Sequence, residues 1–135
     1  MEKNVVSLET AQKLKAAGWA KAGSFYWYEN NGYWYLNYIH QFPPQLSREI
    51  IQAPTAQEFA NALPKSIGRD GDTYWLEMKW VGEESRCQYW SHVSQKRLGA
   101  DETGLDQGAI GVAGSSSMAE ALAALWLKLR ENEKI

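Results

Sequence analysis

The sequence predicts an α+β domain: an antiparallel sheet built from two hairpins, possible fifth strand included, with about three helices in the order αββαββ(β)α. Three observations carry that prediction. An Asn-Asn-Gly break interrupts the aromatic run FYWYENNGYWYLNYI at residues 25–39. A second stretch, residues 74–93, alternates with period two. Two helix starts, Thr55 with Glu58 and Ser117 with Glu120, carry the capping-box pattern. Hairpins separated by helices favour an antiparallel sheet with helices packed on one face.

The first helix is expected over residues 8–17. Ser7 is placed to cap it, with Thr10 at the third helical position. Leu8, Ala11 and Leu14 share one face at helical spacing. Lys13 and Lys15 lie near the C-terminal end, where the helix dipole favours cations. Gly18 is the expected left-handed terminator, and Trp19 is placed to touch Leu14 in a Schellman-type contact.

The aromatic hairpin follows. A two-residue type I′ turn needs positive φ at both central positions, which Asn31 and Gly32 tolerate. That turn sets Tyr28 opposite Tyr35 and Trp27 opposite Leu36. One face then carries Phe25, Trp27, Trp34, Leu36 and Tyr38, the expected core side. The other carries Tyr26, Tyr28, Tyr33, Tyr35, Asn37 and Ile39. A three-residue loop from Asn30 would set Trp27 opposite Tyr35 and mix the two sets. The segregating register is preferred, since a one-residue slip exposes a whole apolar set.

Pro43 and Pro44 end the strand region, because proline cannot donate in a ladder. Residues 49–52 are a short extended piece at most. Ala56, Phe59, Ala60 and Leu63 give the one-face pattern of a helix, and Pro64 closes it. In the second hairpin, a four-residue loop, Gly82-Glu83-Glu84-Ser85, sets Trp80 opposite Cys87 and Met78 opposite Tyr89, all four on the core face. Trp75, Glu77, Lys79, Arg86, Gln88, Trp90 and His92 share the outer face. Glycines break the periodicity of residues 95–114, which read as a Gly-rich surface loop with a short edge strand at 109–113. The last helix, from 118 to about 130, lines one face with Met118, Ala121, Leu122, Leu125 and Leu129. Ala124, Trp126 and Leu127 widen that face, so this helix is expected to be the most deeply buried.

A chain of 135 residues fits one domain, 1–135, with a real core. No apolar run reaches the roughly 20 residues of a membrane-spanning helix, and MEKNVVSLET holds no long apolar segment, so no secretory signal is expected. One cysteine excludes an internal disulfide and a cysteine-based zinc cluster. A net charge of −2 provides no overall field to gather nucleic acid or anionic membrane. The expectation is a soluble cytoplasmic protein without metal or cofactor.

The phrases SLETAQKLKAAGW, APTAQEFANALP and SMAEALAALWLKL, in that order and spacing, resemble a family of small uncharacterised proteins recurrent in phages, prophages and other mobile elements. The resemblance spans most of the chain, with residues 99–114 an addition to the usual pattern. It implies a mobile-element origin and a cytoplasmic, non-housekeeping role. The family has no established activity, so the resemblance carries over no catalytic or binding residues.

Three surfaces are candidate sites. The tyrosine face, Tyr26, Tyr28, Tyr33, Tyr35 and Asn37, offers large contact area with few rotors to freeze, as interfaces favour. It suits a protein partner or self-association as a homodimer. Stacking of a small ligand or single-stranded nucleic acid is the alternative there, without a basic groove to support it. Cover by another element would make it ordinary core. The second surface is Trp75, Arg86, Trp90 and His92, where cross-strand bracing of the sheet competes with a hot spot. The third is Gly114, Ser115, Ser116 and Ser117 before the last helix, a possible anion cradle that lacks the lysine of a P-loop. Its simpler reading is a connection with Ser117 as cap. Catalysis has little support: His40 and His92 lack metal-ligand spacing, and Cys87 falls on a core face. The expected role is therefore a non-catalytic interaction or regulatory module. An enzyme using dispersed carboxylates is the weakest reading.

Overall fold

The computed structural model describes residues 5–39, 49–69, 71–98, 113–115 and 117–131. Among them the chain runs α1 (Leu8–Ala16), β1 (Phe25–Asn30), β2 (Tyr33–Tyr38), β3 (Ile50–Gln52), α2 (Ala56–Ala62), β4 (Ser66–Arg69) and β5 (Asp72–Val81). It continues through β6 (Glu84–Ser91), β7 (Lys96–Arg97), β8 (Ala113–Ser115) and α3 (Met118–Glu131). The α+β class and the rough element order are as expected.

The two hairpins do not join into one sheet. They form a three-stranded sheet, β2-β1-β3, and a five-stranded sheet, β4-β5-β6-β7, with β8 also paired to β6. Each hairpin's inner edge is taken by a short strand. Trp27 pairs with Ile51 of β3, and Tyr74 pairs with Ile67 of β4. Those edges are therefore unavailable to each other. The helices lie between the sheets: α1 packs on β3 and α3, and α3 packs on α2, β6 and β8. Leu14, Phe59, Tyr89, Leu122, Leu125 and Leu129 are fully buried in that shared core.

Helix ends follow local chemistry closely. Ser7 Oγ accepts the Thr10 N–H at 3.2 Å. Gly18 has φ +99°, Trp19 N–H donates to Leu14 O at 2.9 Å, and Gly18 N–H donates to Lys15 O at 3.2 Å. Those two bonds are the Schellman pattern. At α2, Thr55 and Glu58 make both bonds of the capping box. At α3 only half of the expected box forms. Ser117 Oγ accepts the Glu120 N–H at 3.4 Å, but the Glu120 carboxylate turns to α1 instead.

The second hairpin corrects the expected loop. Its turn holds two residues, Gly82 and Glu83, so Val81 pairs with Glu84, Trp80 with Ser85 and Met78 with Cys87. A shift of two residues keeps each side chain on its face. Cys87 and Tyr89 are buried as expected, but Met78 and Trp80 are 47% and 57% exposed. They sit on the far end of a ten-residue strand, past the stretch that β4 pairs, while α3 packs over β6.

The stretch read as a loop also holds strand. Lys96–Arg97 pair with Ser91 and Trp90, and Leu98 is fully buried. The expected strand at 109–113 lies mostly outside the described residues; what is described is Ala113–Ser115, paired with Ser85, Arg86 and Cys87.

Candidate functional site

Asn31 and Gly32 have φ of +52° and +85°, and the aromatic hairpin closes on them in the segregating register. Tyr28 pairs with Tyr35 and Trp27 with Leu36. Trp27 and Trp34 pack half-buried against the core, and Trp27 Nε1 donates to Val6 O at 3.2 Å. That bond ties the ribbon to the segment that leads into α1.

The opposite face divides along its length. Tyr26 is 4% exposed, so it is buried structure rather than accessible surface. Tyr28 and Asn37 are half-buried. Tyr33 and Tyr35, toward the turn, are 69% and 45% exposed. The Tyr28 ring stacks obliquely on Tyr35 at 5.6 Å between centroids and lies 6.0 Å from Tyr26. The accessible surface is therefore Tyr33 and Tyr35, with Tyr28 as a half-covered floor. Such rings offer flat area and hydroxyls at low entropic cost. Comparison of the chain with protein families, with characterised proteins and with solved structures finds no match.

The second candidate surface is braced within its sheet. Trp75 pairs with Trp90, and only Trp75 is largely exposed. Arg86 Nη2 reaches Glu84 Oε2 at 3.2 Å, and His92 Nε2 lies 3.5 Å from Glu77 Oε1. Glu77 Oε2 also accepts from Gln88 Nε2 at 3.2 Å. Arg86 is thus engaged along its own strand and His92 across to β5, and with Trp75 paired to Trp90 this set reads as cross-strand stabilisation.

The third candidate falls partly in a strand. Gly114 and Ser115 stand in β8, opposite Arg86 and Ser85, rather than in an open cradle. Ser117 is the cap of α3, and Ser116 lies outside the described residues.

Two features carried too little local signal to be read from sequence. The Asp72 carboxylate accepts from the Ser91 and Ser94 hydroxyls and from the Thr73 N–H. The hydroxyls of Ser94 and Ser91 hold that carboxyl below its ordinary 3.8, with a smaller contribution from Lys96. Ser94 N–H in turn donates to Ser91 Oγ at 3.0 Å, so the cluster pins the turn between β6 and β7 to the start of β5. The second is the outer edge of β2, which no described strand covers. Its only sequence signal is a six-residue strand, YWYLNY, without charge or proline.

Cys87 is buried, and its thiol donates to Ala121 O at 3.2 Å. Burial pushes its pKa up to about 12, so it stays protonated and poorly nucleophilic. His40 lies outside the described residues. Among the described residues no set of three or more His, Cys, Asp and Glu side chains is gathered as for a metal ion, and no helix is long and apolar enough to cross a membrane.

Proposed function

We propose that this chain is a non-catalytic protein-interaction module of mobile-element origin, working in the cytoplasm by presenting the tyrosine end of its aromatic hairpin to a protein partner. The observation that carries the reading is the exposure of Tyr33 and Tyr35 side by side on a ribbon whose other face packs on the core. A rigid hairpin fixes the rings before contact, so little entropy is lost on binding. Tyrosine is also enriched at interface centres, where its ring buries area and its hydroxyl finds a polar partner. The origin rests on the three helix phrases. The non-catalytic part is supported by a protonated, buried thiol and by a described histidine engaged with Glu77.

The test is binding of a partner identified by co-purification from the native host and then purified. Y33S/Y35S is expected to abolish the heat of binding in calorimetry and to leave thermal unfolding nearly unchanged. Full binding by that variant overturns the reading. A collapse of the fold would make the rings structural and also overturn it.

A further inference from the structure

We infer that the outer edge of β2 pairs antiparallel with β2 of a second copy of this chain, about a two-fold axis passing beside Tyr35. The inference rests on the aromatic-hairpin reading and adds a second copy of the chain beside its tyrosine face.

The hydrogen-bond parity of the hairpin identifies the groups involved. Ile39 N–H donates to Ser24 O at 2.8 Å, and Tyr28 pairs with Tyr35 across a two-residue turn. Bonded pairs recur every second residue in an antiparallel ladder, so Tyr33, Tyr35 and Asn37 bond inward to β1. Trp34 and Leu36 therefore point their N–H and C=O groups outward, where no described strand meets them. Such a row is a template for another strand unless charge, proline or a bulge blunts it. Residues 33–38 hold no charged residue and no proline.

A two-fold axis beside Tyr35 sets those groups against each other. Trp34 of each copy exchanges both backbone bonds with the second copy's Leu36. Tyr35 then faces the second copy's Tyr35 in a non-hydrogen-bonded pair, where side chains approach most closely. Tyr33 comes opposite Asn37. Aromatic pairs in such positions stabilise a sheet. The interface is isologous, and it extends β3-β1-β2 into a six-stranded sheet with one continuous tyrosine face.

Charge decides between this edge and the end of β5 that extends beyond β4. On β5, Lys79 pairs with Arg86 and Leu76 N–H bonds outward to Lys65 O, so the outward groups beyond β4 are those of Met78 and Trp80. The equivalent two-fold pairing there sets Lys79 opposite itself, and like charges directly opposite are unfavourable. The β2 edge carries no such penalty.

The test uses the full chain. Sedimentation equilibrium at rising concentration is expected to give a dimer for the wild type. Y35K alone and Y35E alone are each expected to be monomeric, because each sets like charges across the axis. An equimolar mixture of Y35K and Y35E is expected to restore a dimer, since only residue 35 facing its own counterpart makes them complementary. As a measurement without variants, exchange of the Trp34 and Leu36 amides is expected to slow with rising wild-type concentration. A monomeric wild type with concentration-independent exchange overturns the pairing. So does a dimer that Y35K leaves intact, or two monomeric variants that fail to combine. Those results leave the partner-binding reading standing as long as Y33S/Y35S still loses the purified partner. Loss of that second result alone overturns only the partner-binding reading.

Discussion

Glu120, in the first turn of α3, closes the amino terminus of α1 through Ser7. Its Oε1 accepts the Ser7 N–H at 2.6 Å, and its Oε2 accepts the Thr10 hydroxyl at 2.7 Å. One carboxylate thus satisfies a donor at one helix start while belonging to another, and the negative charge sits near the positive ends of two helix dipoles. E120A is expected to cost about 1–2 kcal/mol, the usual scale for losing a helix cap. E120Q keeps one acceptor oxygen and should lose less. Urea unfolding of the three proteins checks the order, and an E120A midpoint equal to wild type would contradict it.

The Cys87 thiol gives a second expectation. It is buried, donates to Ala121 O, and holds its proton up to a pKa of about 12 against an ordinary 9.0. Burial, and then the neighbouring Cys87, also raises Tyr89. A group whose folded pKa is raised contributes stability that is full below its unfolded value and lost as pH climbs toward the folded one. For Cys87 that window runs from 9.0 to about 12. The stability advantage of wild type over C87A should therefore shrink as pH rises through it. In the native state a disulfide reagent should label the thiol only as fast as the protein opens. Immediate labelling without denaturant would contradict the burial.

What was legible in the sequence was chemistry that closes within a few residues. Asn31-Gly32 fixed its own turn, Gly18 ended α1, and Thr55 found Glu58 one helical turn away. Period-two alternation also told which rings share a side of the ribbon. It did not tell how far each side is covered. Tyr26 is buried at one end of the tyrosine face, and Tyr38 emerges from the tryptophan face. The same limit explains Trp80, whose exposure depends on where α3 packs. Glu120 chose Ser7 across 113 positions of chain rather than Ser117 three residues away. Local pattern ranks such partners by sequence distance, and the fold ranks them by space. The splitting of the hairpins into two sheets has the same origin: residues 49–52 read as a short extended piece with no sign of the strand it pairs, and β4 is too short to announce itself.

Asp72 makes the turn after β6 sensitive to acid. Its carboxylate is held below 3.8 by the hydroxyls of Ser94 and Ser91. A depressed carboxyl contributes stability that is full above its unfolded pKa and lost as pH falls through the folded one. The difference in unfolding free energy between wild type and D72N should be constant at higher pH. It should decline as pH drops below 3.8. S94A should reduce the same difference, since the Ser94 hydroxyl is the largest cause of the shift. A D72N difference that does not change with pH would show that these hydroxyls do not favour the ionised form.

Gly23 and Glu58 should behave as a coupled pair. A Cβ built on Gly23 would overlap Glu58 Oε2 and lie 3.0 Å from Oε1. The carboxylate is the end of a flexible side chain, so it has room to move, but Oε1 holds the Thr55 N–H at 2.9 Å. G23A must therefore push Glu58 out of the capping box of α2. The expected cost is about 1 kcal/mol, that of a lost cap. E58A should cost a similar amount by deleting the same bond. In the E58A background, G23A has nothing left to displace and should be nearly neutral, so the double variant should match either single one. Residues in direct contact depart from additivity in this way, and separate ones do not. Strictly additive costs in denaturant unfolding would mean that Gly23 is required for something other than the space Glu58 occupies.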